Sequence, residues 1–177
     1  MDYHYYYTME YLPTRYEANS SEWDNRRAVW NFKDGTCSNS ILNDMVTIIN
    51  HIVNGRDNEY VICFIPASTR TKTINRYSNV ARKLTERTGV WATLSGISKS
   101  SDSESGYIAG KSSNPTEDFC FDPSIFRGKK VILIDDVITR GRTFVQTANK
   151  LMSNGASSVV GLFVAKTVNP DRNSMVA

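Results

Sequence analysis

The chain has 177 residues, of which 40% are hydrophobic and 22% charged, and its formal net charge is +3. This composition is typical of one globular domain, and the small positive charge favours a small anionic ligand over a nucleic-acid surface. The three cysteines are far apart and form no CxxC pair, so no zinc ribbon or redox motif is visible. No apolar stretch is long enough to cross a bilayer and no secretory pattern opens the chain, so we expect a cytoplasmic protein without a membrane partner.

The first 35 residues are unusually rich in aromatic side chains. Tyr3, Tyr5 and Tyr7 alternate as they would on one face of a strand, so we interpret this segment as an edge strand and cap that pack on the core. Arginines lie among the aromatics, which makes base stacking on a nucleic acid the alternative. We favour the structural interpretation.

The rest of the chain alternates apolar runs of strand length with amphipathic segments of helix length. Continuous apolar strands alternating with helices indicate an α/β fold whose central parallel sheet, here of about five strands, is covered on both faces. The second helix is expected to bury Ile74, Val80, Ala81 and Leu84. The predicted helices are residues 41–53, 74–87 and 143–152, and the predicted strands are residues 60–65, 90–94, 131–134 and 158–165.

The segment VILIDDVITRGRT, residues 131–143, carries the clearest functional signal. An aliphatic run predicts a buried parallel strand, and Asp135 and Asp136 follow at its carboxyl end, where α/β sheets place ligands. Adjacent carboxylates are costly there unless a partner uses them, because like charges repel and burial adds to that cost. Sugar hydroxyls and metal-bound diphosphates are suitable partners.

A short loop follows the two acids and leads into a helix. Gly141 permits close approach of the backbone, and the helix start directs N–H groups and partial positive charge at one point. Thr139 and Thr143 can donate hydroxyl hydrogen bonds, and Arg140 and Arg142 can neutralise a dianion. A phosphate cradle beside two carboxylates indicates a ribose 5-phosphate group as the ligand.

This pattern resembles the signature by which type I phosphoribosyltransferases bind 5-phosphoribosyl-1-pyrophosphate (PRPP): an aliphatic strand, two acids and a Thr-x-Gly-x-Thr loop. The resemblance implies that Asp135 and Asp136 are the catalytic pair that holds the ribose hydroxyls, and that the loop binds the 5-phosphate. The family often has threonine in place of Arg140 and a small residue in place of Arg142. The implied PRPP-binding residues are Asp135, Asp136, Val137, Ile138, Thr139, Arg140, Gly141, Arg142 and Thr143.

A second resemblance is to the ComF-like or amidophosphoribosyltransferase-like branch of that family. It rests on Ile65-Pro66, on Arg70, on the run RYSN at residues 76–79, and on FVAKT at residues 163–167. ComF-like proteins commonly begin with a four-cysteine zinc module, which this sequence does not show, so a role in DNA uptake is not carried over. The two resemblances together cover about residues 60–167.

The resemblance also implies a pyrophosphate loop and a flexible lid. The loop would consist of Ala67, Ser68, Thr69 and Arg70. The serine-rich residues 98–118 would be the lid, with Lys99 or Lys111 reaching the pyrophosphate. A plain strand-to-helix connection and ordinary solvated lysines are the alternatives, and a long polar loop is also typical of disorder.

The fold implied by the resemblance is the three-layer type I phosphoribosyltransferase fold with a small hood. We expect a single domain, with residues 60–167 as the PRPP-binding core and residues 1–59 as a possible hood. The implied reaction is Mg²⁺-dependent transfer of ribose 5-phosphate from PRPP to an unidentified acceptor base or amine, with release of pyrophosphate. Magnesium needs few protein ligands, so no metal-binding residue is predicted. A PRPP- or nucleotide-sensing module without turnover is the alternative, and the oligomeric state stays open, with a homodimer as one possibility.

Overall fold

The computed structural model describes residues 3–100, 114 and 116–170. In chain order its strands are β1 (Tyr5–Tyr11), β2 (Tyr60–Phe64), β3 (Ala92–Thr93), β4 (Ile97–Lys99), β5 (Phe119–Phe121), β6 (Lys130–Ile138) and β7 (Ser158–Thr167). Its α-helices are α1 (Ser20–Lys33), α2 (Asn39–Val53), α3 (Arg70–Thr88), α4 (Pro123–Phe126) and α5 (Arg142–Ser153), and a short 3₁₀ turn spans Asp57–Glu59.

A five-stranded sheet forms the centre of the molecule, in the order β1-β7-β6-β2-β3. Every neighbouring pair in it is parallel. A separate antiparallel pair is formed by β4 and β5. The prediction of an α/β fold with a parallel sheet of about five strands is therefore confirmed.

Helices cover both faces of this sheet because the central strands are apolar on both sides. Along β6, Ile132 and Ile134 belong to the core shared with α1, α2 and α3. Val131 and Leu133, which alternate with them, belong to the core shared with α4 and α5. The result is a three-layer arrangement. Among the described helices, none is long and apolar enough to span a membrane.

The N-terminal segment adds one edge strand and one helix that was not predicted. β1 pairs in parallel with β7, which confirms the edge-strand interpretation. Helix α1 escaped prediction because it buries only Val29, Phe32 and the charged Arg26, too few apolar residues for a clear stripe. Its local signal is a capping box, in which Asn19 and Glu22 each accept a hydrogen bond from the other's backbone N–H.

Helix α3 differs from its prediction at its beginning. It begins four residues early, at Arg70, with Thr69 as its N-cap. Ile74, expected in the core, has 46% of its surface exposed. The buried stripe instead runs through Thr73 and Tyr77 to Val80, Ala81 and Leu84, and Ile74 lies about 100° away from Thr73 around the helix.

Candidate active site

The central strand β6 extends beyond its neighbour β2. The two strands pair only as far as Phe64↔Ile134, whereas β6 and β7 remain paired to Ile138↔Lys166. Asp135 and Asp136 were expected to follow the strand, but they lie inside it, because pairing with β7 keeps the backbone extended. The loops after β2 and β6 leave the same edge of the parallel sheet, and this edge is where such folds place ligands.

Both carboxylates are hydrogen-bonded by consecutive residues of α3. Arg76 Nη1 lies 2.7 Å from Asp136 Oδ2, and the Tyr77 hydroxyl donates to Asp135 Oδ1 at 3.0 Å. The backbone contributes as well: Asp136 N–H donates to Asp135 Oδ1 at 2.8 Å, and Val137 N–H donates to Asp136 Oδ1 at 2.6 Å. Neighbouring residues of a strand usually point to opposite faces, so this convergence on one helix is a specific feature of the site.

The surroundings of the two acids are electrostatically different. Asp136 is 9% exposed and forms an ion pair with Arg76 through Oδ2. Lys33 Nζ lies 3.9 Å from the same oxygen. Burial, together with the neighbouring charge of Asp136, raises the pKa of Asp135 from 3.8 to about 7. The hydrogen bonds from the Asp136 N–H and the Tyr77 hydroxyl oppose that rise. The pair thus combines one ion-paired carboxylate with one that titrates near neutral pH.

The predicted phosphate loop and Asp135 line one cleft of about 300 Å³. Its lining consists of Asp135, Val137, Ile138, Thr139, Arg140, Gly141, Arg142, Thr143, Phe144 and Phe163. Gly141 has φ +69° and precedes α5, whose first turn contains no acidic residue and whose start has no side-chain cap. The Thr139 hydroxyl is 2.8 Å from the hydroxyl of Thr167 at the end of β7. Binding by these residues stays a prediction, but the structure brings them together.

The predicted pyrophosphate loop is a tight turn that leads into α3. The Thr73 hydroxyl accepts from the Ala67 N–H at 3.0 Å and donates to the Thr69 carbonyl at 2.9 Å. Thr69 Oγ1 accepts from the Lys72 N–H at 3.2 Å. A second cleft of about 450 Å³ adjoins this turn, lined by Pro66, Arg70, Thr73, Ile74, Leu94, Ser95, Ile97, Ser98 and Lys99.

The two lysines predicted for the lid have different outcomes. Lys99 ends β4, and its ammonium group donates to the carbonyl of Ser68 at 3.3 Å, so it reaches the predicted pyrophosphate loop. Lys111 lies outside the described residues. A role for Lys99 at a bound pyrophosphate stays a prediction.

A magnesium ion at this site would take most of its ligands from a bound phosphate compound and from water. Within residues 3–100, 114 and 116–170, no group of three His, Cys, Asp or Glu side chains is placed to hold a metal. The carboxylates of Asp135 and Asp136 are already hydrogen-bonded. Magnesium keeps several waters and readily binds phosphate oxygens with few protein ligands, which suits this arrangement.

Sequence reasoning did not identify the partners of the two acids. Arg76 and Tyr77 were noted only as part of the second resemblance, and Lys33 was not singled out. Arg76 is 60 residues away from Asp136, and the spacing in sequence carries no signal of that contact. The contact follows from the packing of α3 across the end of β6.

Residues 71–173 match the model of the family described as phosphoribosyl transferase domain. This match covers more than half of the chain, and the chain therefore belongs to that family. Membership supports a transferase that uses PRPP. The ComF-like branch is not confirmed. No curated protein matches the sequence.

Solved structures of similar fold include one titled as the allosteric regulatory enzyme of purine biosynthesis, with a TM-score of 0.50 and 16% identity. That alignment covers 77% of this chain and 30% of that enzyme, so the chain spans less than a third of its length. A hypoxanthine-guanine phosphoribosyltransferase from Bacillus anthracis str. 'Ames Ancestor' has a TM-score of 0.45 and 16% identity, over 78% of this chain and 73% of its own. A Trypanosoma cruzi hypoxanthine phosphoribosyl transferase has a TM-score of 0.49 and 14% identity, over 80% of this chain and 76% of its own.

The raised pKa of Asp135 predicts a pH-dependent loss of stability. The folded protein binds this proton more tightly than the unfolded chain, so the free energy of unfolding falls as pH rises from 3.8 towards about 7. Asparagine has no charge to desolvate. Asp135→Asn should therefore melt at a higher temperature than the wild type at pH 8, by roughly 2–4 °C for each kcal/mol relieved, with the difference closing towards pH 4.

Melting curves recorded across this pH range check the prediction. Glu86→Gln is the control, because Glu86 is an exposed carboxylate on α3. A difference in melting temperature that is the same at every pH would contradict the assigned burial of an ionisable Asp135.

Proposed function

We propose that the protein is a Mg²⁺-dependent pentosyltransferase that transfers ribose 5-phosphate from PRPP to a nitrogen acceptor and releases pyrophosphate. The observation that carries this proposal is the shared cleft of Asp135 and the loop from Thr139 to Thr143 at the end of β6. One ribose 5-phosphate group could therefore contact both features. The carboxylate would accept hydrogen bonds from the sugar hydroxyls, and the start of α5 would bind the phosphate. Family membership supports the same ligand.

In the proposed complex the acids and the loop hold the two ends of the ribose 5-phosphate. A carboxylate of the acidic pair accepts hydrogen bonds from the ribose hydroxyls, and the backbone N–H groups from Gly141 to Thr143 bind the 5-phosphate. Arg140 and Arg142 are exposed on the same loop and add positive charge beside the dianion. Holding both ends fixes the anomeric carbon for attack, which is the positioning contribution to catalysis.

Departure of pyrophosphate is the step that needs positive charge. The bond from the anomeric carbon to the pyrophosphate oxygen breaks, with an oxocarbenium-like transition state, and negative charge grows on the leaving group. The turn from Ala67 to Arg70 offers small side chains and backbone N–H groups, and Lys99 lies against it through Ser68. Preorganised cations and dipoles are most effective where charge develops. A magnesium ion would supply further positive charge to the pyrophosphate oxygens.

The acceptor is a nitrogen nucleophile whose identity is left to experiment. Residues 1–59 supply β1, α1 and α2 to the body of the molecule, and a role for them in covering an acceptor base belongs to this proposal. Assignment to the ComF-like or amidophosphoribosyltransferase-like branch also belongs to it. The comparisons give no support to the sensing alternative.

Binding and turnover can be measured separately to test the proposal. We expect PRPP with Mg²⁺ to raise the melting temperature by mass action, and expect at least one member of a panel of bases and amines to trigger pyrophosphate release. Ribose 5-phosphate and pyrophosphate alone serve as ligand controls. Stabilisation without release for every acceptor would favour the sensing module, and the absence of both effects at millimolar PRPP would contradict the proposal.

Valine at Gly141 should weaken PRPP binding by about tenfold or more, in addition to destabilising the fold. Gly141 has φ +69°, which strains any residue with a Cβ, and the added side chain would stand in the loop that binds the phosphate. Loss of even one hydrogen bond to a charged group weakens affinity by about tenfold or more. The change is measured as the PRPP dissociation constant by calorimetry.

Gly128→Val is the matched control. Gly128 has φ +73°, has open space around an added Cβ, and lies before the opposite end of β6. Both variants should lose similar stability, and only Gly141→Val should lose affinity. Equal PRPP affinities of the two variants would mean that the phosphate binds elsewhere.

A further inference from the structure

Two consecutive side chains of helix α3 contact the acidic pair, and neither has a role in the proposed reaction. Arg76 contacts Asp136, and Tyr77 contacts Asp135, at 2.7 and 3.0 Å. The Tyr77 side chain is fully buried, and the Arg76 side chain is 15% exposed. Groups withdrawn from solvent in this way are poor candidates for direct contact with a substrate, but they can fix the groups that do contact it.

The hydroxyl of Tyr77 is held in place by the hydrophobic core. Its ring lies with its centroid 4.7 Å from that of Phe64 at the end of β2, and 6.1 Å from that of Phe32 on α1. A ring packed on two sides has little rotational freedom. The position of the hydroxyl against Asp135 is therefore set by the fold before any ligand arrives.

Arg76 is held by the end of α1. Its Nε donates to the Lys33 carbonyl at 3.3 Å, and a Cβ built on Gly35 would lie 2.3 Å from the carbonyl oxygen of Asn75. The turn after α1 thus packs directly on the first turns of α3. This contact orients the guanidinium towards Asp136, whose two oxygens accept from Arg76 and from the Val137 N–H.

The outcome is an unequal pair of acids. The Tyr77 hydroxyl and the Asp136 N–H both donate to Oδ1 of Asp135. Asp135 also lines the cleft together with the phosphate loop. Asp136 is 9% exposed and is engaged at both oxygens. Asp135 is consequently the acid placed to meet the hydroxyls of a sugar, and Asp136 is the acid placed to bind α3.

We propose that Arg76 and Tyr77 are positioning residues that divide the acidic pair, so that Asp136 locks β6 to α3 and Asp135 alone presents a carboxylate oxygen to the ribose hydroxyls. This inference rests on the proposed function, because it takes the ligand to be a ribose 5-phosphate donor. Oδ1 of Asp135 already accepts two hydrogen bonds, so protonation would fall on Oδ2 and turn the oxygen that meets the diol from an acceptor into a donor. Ligand binding should therefore follow the ionisation of Asp135.

The pH dependence of binding depends on the charges around Asp135. Burial and the charge of Asp136 raise the pKa of Asp135 to about 7, and the Tyr77 hydroxyl and the Arg76 charge lower it. PRPP affinity should thus rise as pH passes through about 7, and removal of the Tyr77 hydroxyl should move that rise to higher pH. The titratable and charged groups that face this acid or share its cleft are Asp136, Arg76, Tyr77, Arg140 and Arg142, with Lys33 beside Asp136.

Tyr77→Phe tests the inference because it removes one hydroxyl and leaves the packed ring. We expect the carboxyl ¹³C titration of Asp135 in the ligand-free protein, assigned with Asp135→Asn, to move to higher pH. PRPP should bind roughly tenfold more weakly near neutral pH, as for loss of one hydrogen bond to a charged group, with a smaller difference in alkali. Titration of PRPP itself cancels when variants are compared at the same pH. Tyr60→Phe is the control, since its hydroxyl bonds the Ile52 carbonyl instead.

Arg76 is tested by one conservative and one disruptive change. Arg76→Lys keeps a charge beside Asp136 and should retain much of the affinity, whereas Arg76→Met should lose it at every pH. Arg82→Met controls for the loss of an arginine from α3, because Arg82 is exposed and pairs with Glu86. Circular dichroism of each variant separates loss of binding from loss of fold.

The outcomes distinguish this inference from the proposed function. If the wild type binds PRPP and Tyr77→Phe matches Tyr60→Phe in both titration and affinity, the positioning role is wrong and the proposed function stands. If the wild type binds no PRPP at any pH, the proposed function is wrong and the ligand role of Asp135 falls with it. The ¹³C titration, which needs no ligand, would still report whether α3 controls the charge of Asp135.

Discussion

Two neighbouring carboxylates stand at the carboxyl end of the central strand, and their mutual repulsion must be offset for the chain to fold around them. A guanidinium, a phenol and two backbone N–H groups provide that offset, and they come from β6 itself and from α3. Loss of one partner would leave a buried charge unsatisfied, which usually costs more than the contact contributes. The placement of α3 across the end of the sheet is thus tied to the chemistry of the site.

The site also depends on strands of unequal length. β2 pairs with β6 only as far as Ile134, so the last residues of β6 are paired on the β7 side alone. These residues and the loop that follows them line the cleft. Pairing with β7 keeps Asp135 and the following residues extended until Ile138, and the loop then turns through Gly141 into α5. The phosphate loop and the acids consequently share one rigid support, which favours a site formed before the ligand binds.

The parts of the fold that were predictable are those whose signals are local. The strand, the acids and the loop all lie within residues 131–143, so their proximity is dictated by the backbone alone. Helix α1 was missed because Val29 and Phe32 make too weak a stripe, and its capping box was not recognised. Ile74 was placed in the core because of its hydrophobicity, but tertiary packing turns the neighbouring face of α3, with Thr73 and Tyr77, towards the core. The contacts from Arg76 and Tyr77 join residues about 60 positions apart, and only the tertiary packing reveals them.

We propose that the end of β6 and the loop after it hold the two ends of one ribose 5-phosphate group. A crystal structure of the protein with PRPP and Mg²⁺ is the decisive measurement. It should show the 5-phosphate within hydrogen-bonding distance of the backbone N–H groups from Gly141 to Thr143, and the ribose hydroxyls at the carboxylate of Asp135. A 5-phosphate bound outside this loop, or a ribose whose hydroxyls make no contact with Asp135 or Asp136, would refute this arrangement.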